Sequence, residues 1–140
     1  MSKIAVVYWS GTGNTEAMAK AVVEGAKSAG AEASLFNTGE FDASMISSYD
    51  ALAFGCPAMG AEQLEDFEFE PMFESCKSDL GGKKIALFGS YGWGDGEWMR
   101  SWEDSCRGSG AVLASESVIV SGYPEGEGLD NCKRLGAALV

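Results

Sequence analysis

"VVYWSGTGNTE", Val6 to Glu16, decides how the rest of the chain is read. A short β-rich apolar run, Lys3 to Trp9, leads into it and turns through two glycines. A stretch follows in which Ala17, Ala21, Val22 and Ala26 recur at helical spacing. Glu24 and Lys27 fall on the outward side, and Gly30 stands where a helix would stop. The order is therefore buried strand, tight turn, helix.

The turn itself, "SGTGNT", has the look of a phosphate-binding loop but contains no lysine or arginine. Gly11 and Gly13 let the backbone turn and approach a ligand, while Ser10, Thr12, Asn14 and Thr15 add side-chain donors. The helix that follows points its unpaired N–H groups and the positive end of its dipole into the same space. Several fixed neutral donors can replace one ammonium, since a hydrogen bond to a charged oxygen is worth roughly 1.5–3 kcal/mol. The plainer reading, a helix cap by Asn14 or Thr15, needs neither two glycines nor four donors. The loop lacks the lysine of G-x-x-x-x-G-K-[ST] and the third glycine of G-x-G-x-x-G, so one terminal phosphate monoester suits it best.

Further strand-like runs cover residues 31–37, 51–57, 83–91 and 110–120. Helical patterns cover 67–77, 97–107 and 127–139, with a weak short one at 42–48. This alternation implies βαβ units and a parallel sheet covered on both faces. The Gly-rich segments all follow strands directly, at the carboxyl ends where open α/β sheets bind ligands. Two more such segments are "GCPAMGAEQ" (55–63) and "GSYGWGDGEWM" (89–99). Met59 and Trp93 are candidates to cover the faces of a planar ring, and Trp93 between Gly92 and Gly94 has little local structure to pack into. Trp98 and Trp102, four apart, read as packing residues, and so does Trp9. In the acidic run "EQLEDFEFE" (62–70), Glu65, Asp66, Glu68 and Glu70 read as a solvated face. Glu62 stands apart, next to the Met-Gly turn, where it can accept from a ring N–H.

Composition narrows the function classes. At 140 residues, the chain 1–140 fits a single domain with a core of its own. No apolar run approaches the length of a membrane helix, and the amino terminus lacks a signal-peptide pattern, so a cytoplasmic location is expected. A net charge of −11 argues against nucleic acid and anionic membrane as partners. The four cysteines are scattered and there is no histidine, which removes the usual zinc ligands and the base for cysteine catalysis.

Taken together, "SGTGNT", "GCPAMGAE" and "LFGSYGWGDGEWMR" resemble the short-chain flavodoxins over essentially the whole chain. The resemblance implies an α/β flavodoxin-like three-layer sandwich: a five-stranded parallel sheet in the order 2-1-3-4-5, with helices on both faces. It implies FMN as cofactor, bound tightly but non-covalently. Ser10, Gly11, Thr12, Gly13, Asn14 and Thr15 would take the phosphate. Met59 and Trp93 would flank the isoalloxazine, and Glu62 would accept from flavin N3–H. Gly60 would lie beside N5 within the loop Pro57, Ala58, Ala61, and the backbone of Ser90, Tyr91, Gly92 and Gly94 would meet the pyrimidine edge. Two positions depart from the pattern: Pro57 stands where relatives often offer a hydroxyl to the ribityl chain, and Ala61 where some carry an acid. By the same resemblance the chain is an electron-transfer protein, not an enzyme: a low-potential one-electron carrier working through semiquinone and hydroquinone states. Its partners would be redox proteins with basic docking patches, and it would be a monomer. An FMN-dependent quinone or nitro-group reductase on the same fold is the alternative.

Overall fold

The computed structural model describes residues 2–60 and 62–140; Ala61, expected in the site, lies outside the described residues. Strand β1 is Lys3–Tyr8, with Ile4 to Val7 fully buried because both faces of the sheet are covered. Helix α1, Asn14–Ser28, buries Met18, Ala19, Val22 and Ala26 completely. Ala17, expected on that face, sits half-buried at its rim, and Met18 and Ala19 carry the contact instead. Gly30, at φ +99°, ends the helix as its position suggests.

Strand β2 is Glu32–Asn37 and β3 is Ala51–Gly55; two 3₁₀ turns, Thr38–Glu40 and Ala43–Ser48, stand between them. Helix α2, Phe69–Lys77, leads to β4, Lys84–Tyr91, and α3, Glu97–Gly108, follows. The expected fifth strand is broken into β5, Val112–Leu113, and β6, Val118–Ser121, before α4, Glu127–Ala138. The described strands pair in parallel, and the order is β2-β1-β3-β4-β5, as the resemblance implied. Both short strands pair β4, β5 at Lys84 and Ile85 and β6 at Phe88 to Tyr91, so the sheet has six strand segments in five positions. The register shifts between them: Ile85 pairs Leu113 but Phe88 pairs Val118, so the chain carries extra residues that leave the ladder. In that segment Ser117 Oγ donates to Glu103 Oε2 on α3 at 2.6 Å.

Strand alternation builds two core layers. Ala5, Val7, Leu52, Phe54 and Leu87 face Phe69, Phe73, Trp98 and Trp102, while Ile4, Val6 and Phe88 face Met18, Val22, Cys132 and Leu135. On the second side α1 and α4 meet backbone to backbone. A Cβ on Gly25 would strike the Lys133 main chain, and one on Gly136 the Val22 main chain. This order sets the carboxyl ends of β1, β3 and β4 side by side, and the ladder runs on into the loops. Trp9 N–H donates to Gly55 O (3.0 Å), Cys56 N–H to Phe88 O (3.1 Å) and Ala58 N–H to Ser90 O (3.0 Å).

Candidate functional site

The first loop, residues 9–13, is braced from inside: Gly13 N–H donates to Ser10 Oγ at 3.0 Å, and Gly13 takes φ +95°. No side chain caps α1. The N–H groups of Asn14, Thr15 and Glu16 find no acceptor among the described residues, and the first helical bond runs from Ala17 N–H to Gly13 O. Three aligned donors at a helix start are thus left for an anion. Thr15 is 1% exposed, and its hydroxyl lies 3.0 Å from Ser90 Oγ. The Thr15 hydroxyl, expected as a ligand donor, thus shares a bond with Ser90, expected to act through its backbone, and the pair ties the first loop to the end of β4.

The second loop is a closed turn. Met59 and Gln63 exchange backbone bonds of 2.8 and 2.9 Å, with Gly60 at φ +53° and Glu62 at φ +54° between them. Among the described residues, Glu62 is the non-glycine residue in the left-handed region, an arrangement L side chains seldom adopt. The third loop carries Trp93, 66% exposed, so the indole is not a core anchor; Met59 is 38% exposed. Glu62 reaches across to the third loop: a Cβ on Gly94, at φ +89°, would lie 2.6 Å from its carboxyl carbon. Its Oε1 is buried and has no hydrogen-bond partner. Asp95 and Glu97 bring ligand atoms within 4.8 Å of it. Arg100 is turned to Asp95, with bonds of 3.0 Å to its carbonyl and 3.1 Å to Oδ1.

A cavity of about 270 Å³ joins the loops, with Thr12, Asn14, Pro57, Met59, Tyr91 and Gly92 among its walls. Gly11, Ala58 and Ser90 complete the expected residues that line it. Ser10 faces a neighbouring cavity of about 480 Å³, and Trp93 stands outside both. Trp9 packs against the core, as read from sequence, and also lines both cavities, its ring lying over Gly11. Gly122, beyond β6, is a second wall that sequence reasoning missed. Trp98 and Trp102 are packed in the core as expected, at 1% and 2% exposure.

The acidic run holds a correction. Glu65, expected in solvent, is 7% exposed. Its carboxylate accepts from the N–H groups of Phe67 (3.0 Å), Glu68 (2.8 Å) and Phe69 (2.8 Å), which orders the entry to α2. A glutamate four residues before an apolar helix position was the available signal. The cysteines are all buried. Burial pushes the thiols of Cys106 and Cys132 up to about 12 and that of Cys56 higher still, so none is a nucleophile near neutrality.

The donor set fits FMN. The free N–H groups at the start of α1 suit a phosphate, and the apolar cavity with Met59 and Trp9 at its walls suits a flat ring. Glu62, whose buried Oε1 lacks a donor, suits a ring N–H, although it lines a separate cavity of about 380 Å³ with Leu64 and Trp98.

The flavodoxin family model matches residues 6–136. A flavodoxin from Clostridium beijerinckii is 44% identical over 135 residues, 96% of this chain and 97% of that one. A flavodoxin from Megasphaera elsdenii is also 44% identical, over 96% of each chain. The solution structure of the two-electron reduced Megasphaera elsdenii flavodoxin superposes with a TM-score of 0.88 over 97% of both chains. No helix of the described residues is long and apolar enough to cross a membrane. With the three-loop site, the strand order and these relatives in agreement, the chain belongs to the flavodoxin family, short-chain FMN-binding electron carriers that act as electron-transfer proteins rather than enzymes.

Proposed function

We propose that residues 1–140 form one FMN-binding domain that works in the cytoplasm as a monomeric, low-potential, one-electron carrier between redox proteins. The cofactor supplies the redox chemistry, accepting one electron at a time; the polypeptide tunes its energies. Ser10 to Thr15 and the free N–H groups of α1 hold the phosphate. Met59 and Trp93 cover the ring, Glu62 accepts from N3–H, and the Pro57–Gly60 and Ser90–Gly94 backbones line its edges. The observation that carries this reading is the cation-free donor loop at the start of α1, whose unbonded N–H groups stand beside an apolar cavity shared by all three loops.

The Met59 carbonyl is taken by Gln63 N–H, and Gly60 already has positive φ, so it is the Gly60 carbonyl that can turn to N5 at little steric cost. The acidic surroundings oppose added negative charge. Each carboxylate about 10 Å away costs roughly 0.4–1.7 kcal/mol, or some 20–70 mV on a one-electron couple. Glu62, Asp95 and Glu97 cluster at this end, where the Arg100 guanidinium turns to Asp95. The same carboxylates attract redox partners with basic patches.

An anaerobic reductive titration of the FMN-loaded protein tests the proposal. Two separate one-electron steps are expected, the second well below the potential of free flavin. A single two-electron step at the free-flavin potential would refute it. Steady-state turnover of NAD(P)H by the isolated protein would favour the reductase alternative.

A further inference from the structure

We propose that Trp98 is a positioning residue: its indole N–H, donated to the Cys56 carbonyl, yokes the two loops that flank the flavin and so sets how tightly each redox form of FMN is held. The inference rests on the function proposed above and adds to it a residue that touches no cofactor.

Trp98 is the second residue of α3, just past the loop that carries Trp93. It is 1% exposed, and Nε1 lies 3.2 Å from Cys56 O, a bond across 42 residues. Cys56 is the first residue beyond β3 and the root of the Pro57–Gly60 segment. Pro57 has no N–H, so the carbonyl is the one polar handle on the Cys56–Pro57 peptide. The far side of the same loop returns to Cys56 as well, because Glu65 N–H donates to its Sγ at 3.3 Å. The Met59–Gln63 bonds close the turn between these two anchors. Space for the indole comes from β4: a Cβ on Gly89 would lie 3.2 Å from Trp98 Cζ2 and would run into the Cys56 carbonyl. The Tyr91 ring packs on the indole at 5.6 Å, tying the third loop to the same point.

Trp102, one helical turn later, supplies the contrast. It is 2% exposed in the same core layer, yet its Nε1 has no partner. Burying an indole on this helix therefore does not demand a bond, and the Trp98 bond is specific to the loop. The Pro57–Gly60 backbone has to serve flavin forms with opposite needs at N5, an acceptor when oxidised and a donor once reduced and protonated. A loop fixed at its root keeps the peptide carbonyl in place for the second of these. Removing the yoke therefore weakens the reduced form more than the oxidised one.

The test compares Trp98→Phe, which keeps an aromatic ring and loses the N–H, with Trp102→Phe as matched control. For Trp98→Phe the one-electron-reduced form of FMN is expected to lose at least about threefold more affinity than the oxidised form. The first midpoint potential then falls by about 28 mV, at 59 mV per tenfold for one electron. Trp102→Phe should lose thermal stability and leave both potentials where they were. Unmoved potentials in Trp98→Phe, or equal shifts in the two variants, overturn the inference. Should Trp98→Phe not fold, hydrogen exchange of the Trp98 indole in the wild-type protein decides. Slowing by about tenfold or more when FMN is added supports the yoke, and an unchanged rate overturns it. A wild-type protein that does not bind FMN brings down the proposed function and the yoke with it. Wild-type binding with unmoved Trp98→Phe potentials removes the yoke alone.

Discussion

Gly94→Ala separates two energies at a single atom. A methyl group there would lie 2.6 Å from the Glu62 carboxyl carbon and 3.1 Å from Oε2, so the carboxylate has to leave its place. The backbone at φ +89° adds a conformational penalty of about 1–2 kcal/mol for a residue with a Cβ. That penalty is present with and without cofactor. It lowers the stability of the apoprotein by about 1–2 kcal/mol and largely cancels from binding. Displacement of the carboxylate does not cancel, because the ring N–H loses a charged acceptor worth roughly 1.5–3 kcal/mol. FMN affinity should therefore fall by about 10- to 150-fold, read by quenching of FMN fluorescence on titration into apoprotein. Gly108→Ala, at the end of α3 and outside the three loops, is the comparison: its Cβ meets nothing within 4 Å, and its effect should stay within about twofold. Apoprotein of reduced stability that still binds FMN within about twofold of wild type would show that Glu62 does not hold the ring.

Other outcomes follow from the same geometry. Ser10→Ala should weaken FMN by about 10-fold or more and leave riboflavin, which has no phosphate, within about twofold, as measured by parallel fluorescence titrations. Association of the reduced holoprotein with a lysine-ringed haem protein such as cytochrome c, followed by stopped flow, should slow as salt rises from about 0.01 M to 0.15 M and the screening length drops from about 30 to 8 Å. A salt-independent rate would remove electrostatic docking. Burial raises the folded-state values of Cys106 and Cys132 to about 12 from an ordinary value of 9.0, so the folded chain keeps protons that the unfolded chain releases. Stability should thus be complete below about pH 9 and fall as pH rises from there toward 12, with a shallower fall in Cys132→Ala, measured by urea unfolding across that range.

What the sequence revealed and what it hid divide along physical lines. The β1–loop–α1 unit was legible because a buried strand, two glycines and a polar cluster leave few alternatives. Its neighbours followed from apolar runs of the right length. The break between β5 and β6 was not legible. "ASES" is polar but short, and the extra residues that shift the register show only against the partner strand β4. Glu65 was misread because a charge run looks solvated until the fold turns three N–H groups onto one carboxylate. Trp9 has the composition of a packing residue, and only the bend over Gly11 brings it to the cavity wall. The expected residues of the three loops were identified by pattern. How Thr15 and Ser90 pair, and how Glu62 crosses to Gly94, depends on the sheet order that brings the loops together.

The central claim is that a loop without a cation, together with an unpartnered carboxylate, holds FMN. Its most direct test is equilibrium titration of the purified apoprotein with riboflavin 5′-phosphate. The account predicts saturation at one equivalent, with the flavin fluorescence quenched and its visible absorption bands shifted. Flavin that stays free and fully fluorescent at every protein concentration would contradict it.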